Sequence, residues 1–464
     1  MALGLVGEGF WGFLFPTRQF LCTLGETLAH GGMTTLMERP DSLALLAQQE
    51  EQRLPWLLPV RHSRMAENPF AFFRGAAAVM ASDLARRPHS GLIVQLCGDA
   101  HLLNFGFYGS PERQLLFDIN DFDETHPGPF EWDVQRLAAS LVLAARSLGL
   151  SDAQQAKICR RGVRAYGEAM AEFAAMPALP MWVARLPLER LIDQRASANL
   201  RCHLERVTAG ALRRTSRQAV RKLCESDGSG GLRFRHQPPL IWRFEALPPD
   251  VLAGLDWQAW INAAHGMYRA SLPPAMRQLL ARFRIVDTAL KAVGVGSVGT
   301  RCAVTVLVGD HPDDVLVIQG KQAEPSVLAP HLPELQASPH QGERVVQGQR
   351  LMQTASDPFL GWGTNPLGHG IYYRQFRDWK GSVDVAQLDA DGLKDYGKLC
   401  AWTLAKAHAR SGDSRAIAAH IGDPKAYGRQ LLEPALEHAD LAAHDHAQLL
   451  QAIASGRIST SEIF

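Results

Sequence analysis

The chain has no cysteine pair at metal-binding spacing, no long apolar run and no excess of either charge. Its seven cysteines are odd in number, and none belongs to a C-x-x-C pair. This pattern argues against a disulfide framework or a structural zinc site and favours a reducing cytoplasm. The cysteines are Cys22, Cys97, Cys159, Cys202, Cys224, Cys302 and Cys400.

No stretch approaches the roughly 18 apolar residues that suggest a membrane span. The first residues lack a basic region ahead of an apolar core, so we expect no signal peptide. Lys and Arg number 48, Asp and Glu number 47, and the formal net charge is +1. Such a balance does not favour nucleic acid or a membrane surface as a partner. We therefore expect a cytoplasmic protein that meets any anionic ligand with a local site.

The 464 residues exceed one ordinary core, which predicts two or three lobes. Helical spacing of apolar residues predicts a mainly helical chain with a β-rich segment, an α+β class. The predicted helices are 43–53, 70–87, 132–149, 342–354 and 392–411, with more helix over 151–284. Valine-rich runs around a GDHPDD turn predict strand, glycine loop, strand, turn and strand over 286–323. Further strands are predicted over 92–97, 115–119 and 371–377.

These elements predict a division into three parts. Residues 1–285 would form a mainly helical lobe, 286–380 a small β-rich lobe, and 381–464 a helical segment that returns to the large lobe.

The sequence GDAHLLN, residues 98–104, follows the first predicted strand. In phosphoryl transfer, a carboxylate such as Asp99 can accept the proton of the attacking hydroxyl. An amide such as Asn104 can hold a magnesium ion on nucleotide phosphates. The alternative is a structural loop in which Asp99 and Asn104 satisfy backbone N–H groups.

A cluster of carboxylates, residues 118–124, follows the second short strand. Magnesium prefers oxygen ligands, commonly one or two carboxylates together with phosphates and water. The carboxylates of this cluster, Asp118, Asp121, Asp123 and Glu124, together form a candidate metal site. The alternative is a solvated acidic turn, which is less favoured so soon after an apolar strand.

The third pattern is a G-x-G-x-x-G sequence, residues 294–299. Dinucleotide-binding folds use the same spacing, but there the glycines open a helix. Here a β-branched run follows, which favours a β-hairpin that covers phosphates. Lys321, on the next strand, would then reach the phosphates. The alternatives are a glycine-rich hairpin without function and a surface lysine, and for Lys321 taken alone the surface lysine is favoured. The candidate nucleotide-binding residues of the loop are Gly294, Gly296, Ser297 and Gly299.

GDAHLLN resembles the G-D-x-H-x-x-N loop of aminoglycoside phosphotransferases and choline kinases, members of the protein-kinase-like superfamily. DFDETHPGPFEWDVQRLA is similar to their metal-binding segment and the helix start that follows it. The wider sequence resembles an uncharacterised bacterial family, domain of unknown function 2252. The segments that carry this second resemblance are RMAENPFAFFRGAA, CGDAHLLNFG, FDINDFDETHPGPFEWDVQRLAAS, VGVGSVGTRC, GERVVQGQRLMQ, RQFRDWK and LAKAHARSGD.

The superfamily resemblance implies a role for each candidate residue. Asp99 would be the catalytic base, Asn104 a magnesium ligand, and Asp121 the second ligand, with Asp118 as its competitor. Asp133 would brace the catalytic loop. The glycines would cover the phosphates and Lys321 would pair with them.

In ordinary kinases the glycine loop and the lysine precede the catalytic loop, whereas here they follow it. The resemblance therefore implies a circularly permuted two-lobe kinase fold. In that order Glu343, on the 342–354 helix, is the nearest candidate for the ion-pair partner of Lys321. Two further expectations concern single residues: Arg74 would pair with a carboxylate near 121–124, and His408 would cap its helix end.

The implied activity is an ATP- and Mg²⁺-dependent phosphotransferase acting on a hydroxyl of a small molecule or peptide. Two alternatives stay open, adenylate transfer on the same fold and a nucleotide-binding pseudokinase that serves as a scaffold.

Overall fold

The structure, a computed structural model, describes residues 39–461 except 188–195, 229–230, 248, 253–255, 293–295 and 297. Residues from Pro40 onward belong to one unit. In this part of the chain, every helix is too short or too polar to cross a lipid bilayer.

The described helices are distributed along most of the chain. They are α1 Ser42–Glu50, α2 Leu58–Ala66, α3 Pro69–Gly75, α4 Ala77–Leu84, α5 Phe130–Ser147, α6 Asp152–Ala175, α7 Ala178–Trp182, α8 Ala198–Leu212, α9 Ser216–Leu223, α10 Trp257–Ser271, α11 Pro274–Leu280, α12 Gln341–Met352, α13 Ala390–Ser411, α14 Ser414–Ile421, α15 Pro424–Gln430 and α16 Leu432–Ala454.

The described strands are short except in the middle of the chain. They are β1 Ile93–Leu96, β2 Phe105–Gly109, β3 Leu115–Ile119, β4 His126–Pro129, β5 Leu186–Pro187, β6 Cys224–Ser226, β7 Leu232–Phe234, β8 Ile241–Arg243, β9 Arg284–Lys291, β10 Cys302–Val308, β11 Val315–Gln322, β12 Gly361–Thr364 and β13 Gly370–Gln375.

The large core is helical and centres on α5. Every residue of this helix from Phe130 to Ala145 is buried. The helix packs against α6, α13 and α16, and its polar residues Asp133 and Arg136 are buried with hydrogen-bond partners. The core thereby holds the helix that follows the acidic segment in a fixed position.

An antiparallel sheet of six strands has the order β12-β13-β11-β10-β9-β8. Lys321 lies near the end of β11, opposite Cys302 on β10 and Tyr372 on β13. The helix α12 packs against β12 and β13. The lysine strand is therefore central in the sheet, with the glycine-loop hairpin on one side and β13 on the other.

Two smaller antiparallel sheets carry the polar loops. One pairs β1 with β4, and the other has the order β2-β3-β5. The loop 97–104 follows β1, and the acidic segment 118–124 begins in the last two residues of β3 and continues beyond it. The Asn120 N–H donates to the Asn104 carbonyl at 2.8 Å, which joins the ends of the two loops.

Most predicted elements are confirmed, and so is the α+β class. The helix predicted over 70–87 is wrong in one respect, since Ala76, with φ −114° and ψ 40°, divides it into α3 and α4. At this break the Gly75 carbonyl accepts a hydrogen bond from Arg61 Nη2 at 2.7 Å. A tertiary contact thus replaces the continuation of the helix.

A buried ion pair fastens β3 to α13. The Asp118 carboxylate contacts Lys406 Nζ, and the two side chains are 4% and 1% exposed. Asp118 Oδ1 also accepts a hydrogen bond from the Ile119 N–H at 2.9 Å. Burial lowers the pKa of Lys406, and the charge of Asp118 opposes that shift.

Removal of one partner of this pair is predicted to cost far more than removal of both. Lys406→Met leaves a buried, uncompensated carboxylate, so we expect a loss of about 3–5 kcal/mol in the free energy of unfolding. The double variant Asp118→Asn, Lys406→Met should recover much of this loss. Urea unfolding of the two single variants and the double variant measures the coupling. Losses that simply add would contradict the pairing.

Candidate functional site

A cavity of about 500 Å³ lies where the polar loops meet the six-stranded sheet. This volume is within the usual range of small-molecule pockets. The wall includes residues of both loops, of the glycine loop and of the segment after β13. The charged and polar side chains of interest are Asp99, Asn104, Asp121, Asp123, Glu124, Arg53, Arg74, Arg374 and Lys380.

The turn before Asp99 depends on Gly98 and Asp133. Gly98 has φ +82°, and a Cβ at this position would lie 2.2 Å from the Glu124 carbonyl oxygen. The Asp133 carboxylate accepts the Cys97 N–H at 2.8 Å and the Gly98 N–H at 3.1 Å. Asp133 therefore braces the loop in the way that the resemblance implies.

His408 contacts the Asp133 carboxylate that holds this loop. Its Nε2 lies 3.3 Å from Asp133 Oδ2, and its Nδ1 lies 2.8 Å from the Tyr166 hydroxyl. The side chain is fully buried. The expectation that His408 caps its helix is therefore wrong, because both ring nitrogens face the core.

Asp99 is held by Arg136 at the cavity wall. Arg136 Nε donates to Asp99 Oδ1 at 2.5 Å, while Oδ2 lies 3.6 Å from His101 Nε2. Asn104 Nδ2 donates to the Asp99 carbonyl at 2.7 Å, which orients the amide of Asn104. Burial raises the pKa of Asp99, although the charge of Arg136 opposes the shift. With its side chain 18% exposed, Asp99 can receive a proton from a group in the cavity.

The structure separates the two candidate metal ligands of the acidic segment. Asp121 lines the cavity. Burial raises the pKa of Asp121, and the charge of Asp123 adds to the effect. Asp118 is not brought to the cavity wall; its carboxylate is buried against Lys406. Asp121 is accordingly the member of the pair that lies at the cavity wall.

Lys321 pairs with Asp123 instead of Glu343. The Lys321 ammonium contacts Asp123 Oδ2, and the Tyr372 hydroxyl donates to Asp123 Oδ1 at 2.7 Å. Burial alone would raise the pKa of Asp123, but the charge and hydrogen bond of Lys321 outweigh it and lower the pKa to about 2. Glu343 accepts hydrogen bonds from Ser338 and Gln347 at the start of α12. The expected ion pair with Glu343 is therefore replaced by one with Asp123.

The glycine loop is only partly described, since Gly294 and Ser297 lie outside the described residues. Gly296 lines the cavity. Two buried arginines bind its carbonyl oxygen, Arg53 Nη1 at 2.8 Å and Arg61 Nη1 at 2.9 Å. Gly299 has φ +96°, and its carbonyl accepts the Leu54 N–H at 2.8 Å. The loop is thus fastened to the segment between α1 and α2.

Four cations at the cavity wall lack a carboxylate partner among the residues that the structure describes. They are Arg53, Arg74, Arg374 and Lys380. Burial lowers the pKa of Arg53 to about 9, and burial together with the charge of Arg374 lowers the pKa of Lys380 to about 7. The prediction that Arg74 pairs with a carboxylate is therefore wrong. Desolvated cations such as Arg53, Arg74 and Lys380 favour the binding of an anion. Burial alone would lower the pKa of Arg374 too, but nearby Tyr372 and Asp121 outweigh it and raise that pKa.

A metal ion at the cavity wall would need ligands in addition to protein side chains. Across the described ranges, no three His, Cys, Asp or Glu side chains converge on a metal position. Asn104 and Asp121 nevertheless both line the cavity. One or two protein oxygens together with phosphates and water are a common way of holding Mg²⁺, so these residues fit an ion that arrives with a nucleotide.

Sequence reasoning missed several residues of the site. Arg136 follows Asp133 by three positions on α5, so helical spacing gave a signal that both face the loop. Tyr372 lies on a predicted strand, but its pairing with Lys321 depends on the sheet order. Neither Arg53 nor Lys380 had a local signal, since each reaches the cavity from an irregular segment.

Replacement of Gly98 tests how closely the two loops pack. We predict that Gly98→Ala lowers the free energy of unfolding by more than about 2 kcal/mol, because positive φ strain of about 1–2 kcal/mol adds to a clash with backbone. The matched control is Gly149→Ala, which has φ +67° and no atom within 4 Å of the added Cβ. Urea unfolding measures both, and equal losses would contradict the close approach.

Comparison with known families confirms the resemblance to the uncharacterised bacterial family. A family described as "Uncharacterized protein conserved in bacteria (DUF2252)" matches residues 53–452. Comparisons with curated proteins and with solved structures found no match. The matched range includes Asp99, Asn104, Asp121 and Lys321. The chain therefore belongs to the DUF2252 family of bacterial proteins.

Proposed function

We propose that the chain is an ATP- and Mg²⁺-dependent phosphotransferase with a circularly permuted, kinase-like fold. The acceptor would be a hydroxyl of a small molecule or peptide. The observation that carries the proposal is the shared cavity, whose wall combines Asp99, Asn104 and Asp121 with Gly296 of the glycine loop. These residues come from segments far apart in the chain.

The order of elements in the sheet supports the kinase-like fold. In protein kinases a glycine-rich loop precedes a lysine on the third strand, and a helix follows. Here the hairpin of β9 and β10 precedes Lys321 on β11, and α12 follows. The catalytic-loop candidate lies earlier in the chain, as a circular permutation requires. The pairing of Lys321 with Asp123 is a departure from the helix-borne glutamate of kinases.

The charges at the cavity wall support a nucleoside triphosphate as the ligand. Arg53, Arg374 and Lys380 are cations without carboxylate partners among the described residues. Asn104 and Asp121 supply oxygen atoms suited to magnesium. A bound Mg²⁺ would offset negative charge on the phosphates.

Asp99 is the proposed catalytic base. It would take the proton of the acceptor hydroxyl while the acceptor oxygen forms a bond to the γ-phosphorus. The bond from that phosphorus to the bridging oxygen of ADP would break. Arg136 holds Asp99 Oδ1, which leaves Oδ2 for the proton.

Nucleotide binding is the first prediction of this proposal. Excess ATP and magnesium at about 100 times the dissociation constant should stabilise the chain by roughly 2.7 kcal/mol. Melting curves with and without ligand measure the increment. The Lys321→Met variant should lose most of this stabilisation by ligand, because Asp123 loses its ion-pair partner and the wall of the cavity changes.

The matched control is Lys398→Met, since Lys398 lies on the surface of α13 with its side chain 43% exposed. This variant should keep the full increment. Absence of any increment in the wild type at millimolar MgATP would sink the proposal.

Turnover is the second prediction. With MgATP and a mixture of hydroxyl-bearing small molecules and peptides, the wild type should release ADP. Asp99→Asn should slow this release by roughly 10²–10⁴-fold, because the base is lost, and should still bind ATP. Chromatography of the products distinguishes the alternatives. Pyrophosphate in place of ADP would favour adenylyl transfer, and nucleotide binding without any product would favour the scaffold.

A further inference from the structure

The end of α3 is fastened to Asp99. Arg136 donates from Nε to Asp99 Oδ1 at 2.5 Å and from Nη2 to the Phe73 carbonyl at 2.9 Å. The Arg136 guanidinium also stacks on the Phe73 ring, 4.2 Å from its centroid. These contacts fix the backbone position of the next residue, Arg74, with respect to Asp99, the proposed base.

The same helix end is also fastened to the glycine loop. Arg61 donates from Nη2 to the Gly75 carbonyl at 2.7 Å and from Nη1 to the Gly296 carbonyl at 2.9 Å. The Arg74 carbonyl oxygen lies 3.3 Å from the position of a Cβ on Gly296. Arg74 thus lies between the loop that would cover the phosphates and the group that would take the acceptor proton.

No carboxylate among the described residues forms an ion pair with the Arg74 guanidinium. The side chain lines the cavity, and within the described part of the chain its buried Nε has no hydrogen-bond partner. Burial lowers the pKa of Arg74, and the nearby charge of Asp99 opposes this shift. The Asp99 carboxylate is already bonded to Arg136. A desolvated guanidinium in this state gains free energy from an anion that enters the cavity.

We infer that Arg74 binds the terminal phosphoryl group of the nucleotide during its transfer. The inference rests on the proposed function, and it identifies a residue that the sequence resemblance does not. The transferred group must pass from beneath the glycine loop to a hydroxyl beside Asp99, and Arg74 lies between these two points. A guanidinium can bond two phosphoryl oxygens at once, whereas a lysine ammonium acts as a point charge.

The test compares MgATP with MgADP, since only ATP carries the terminal group. Isothermal titration calorimetry of the wild type should show at least about tenfold tighter binding of MgATP. Arg74→Gln should weaken MgATP about tenfold or more and change MgADP by no more than about twofold. The control Arg164→Gln changes a half-buried arginine on α6 that is not part of the cavity wall, and it should change neither affinity.

The outcomes separate this inference from the proposed function. A wild type that binds neither nucleotide overturns both. Equal affinities for MgATP and MgADP in the wild type, or equal losses for both in Arg74→Gln, overturn the inference alone. Melting of the unliganded variants checks their folding, and Arg74→Lys, which keeps the charge and the stem, is measured alongside. It should recover only part of the preference for MgATP.

Discussion

The ion pair between Lys321 and Asp123 joins two segments that are 198 residues apart in sequence. Tyr372, from the neighbouring strand, adds a hydrogen bond to the same carboxylate. Lys321 is only 2% exposed, so loss of Asp123 would leave a buried charge without compensation. This contact brings the end of the lysine strand against the acidic segment, and the cavity between the sheet and the polar loops depends on it.

Around this pair, buried arginines connect backbone from separate elements. Arg344 on α12 donates to the carbonyls of Thr125, Asp123 and Glu324. Arg136 and Arg61 likewise donate hydrogen bonds to backbone carbonyls, those of Phe73 and Gly75 at the end of α3. A planar guanidinium suits this purpose, because it offers five donors in a fixed geometry and stays charged when buried. The loops are therefore held by fixed partners before any ligand arrives, which favours a preorganised site.

Local patterns were enough to predict most elements. The strand over 115–119 and the helix near 392–411 follow from apolar runs and helical spacing. The tertiary contacts were harder to predict from the sequence. Asp118 and Asp121 look equivalent in sequence, but Asp118 lies within β3 and is buried against Lys406, whereas Asp121 lies beyond the strand end and lines the cavity. The partner of Lys321 could not be read from spacing along α12, because it comes from a loop that only the folded chain brings near.

We propose that one pocket, assembled from the acidic segment and the glycine loop, binds the nucleotide. A crystal structure of the chain grown with magnesium and a non-hydrolysable ATP analogue would test this proposal. We expect a triphosphate between Gly296 and Asp121, with a Mg²⁺ ion bound to the side-chain oxygens of Asn104 and Asp121. A nucleotide bound elsewhere, or a cavity that stays empty at saturating ligand, would show that the proposal is wrong.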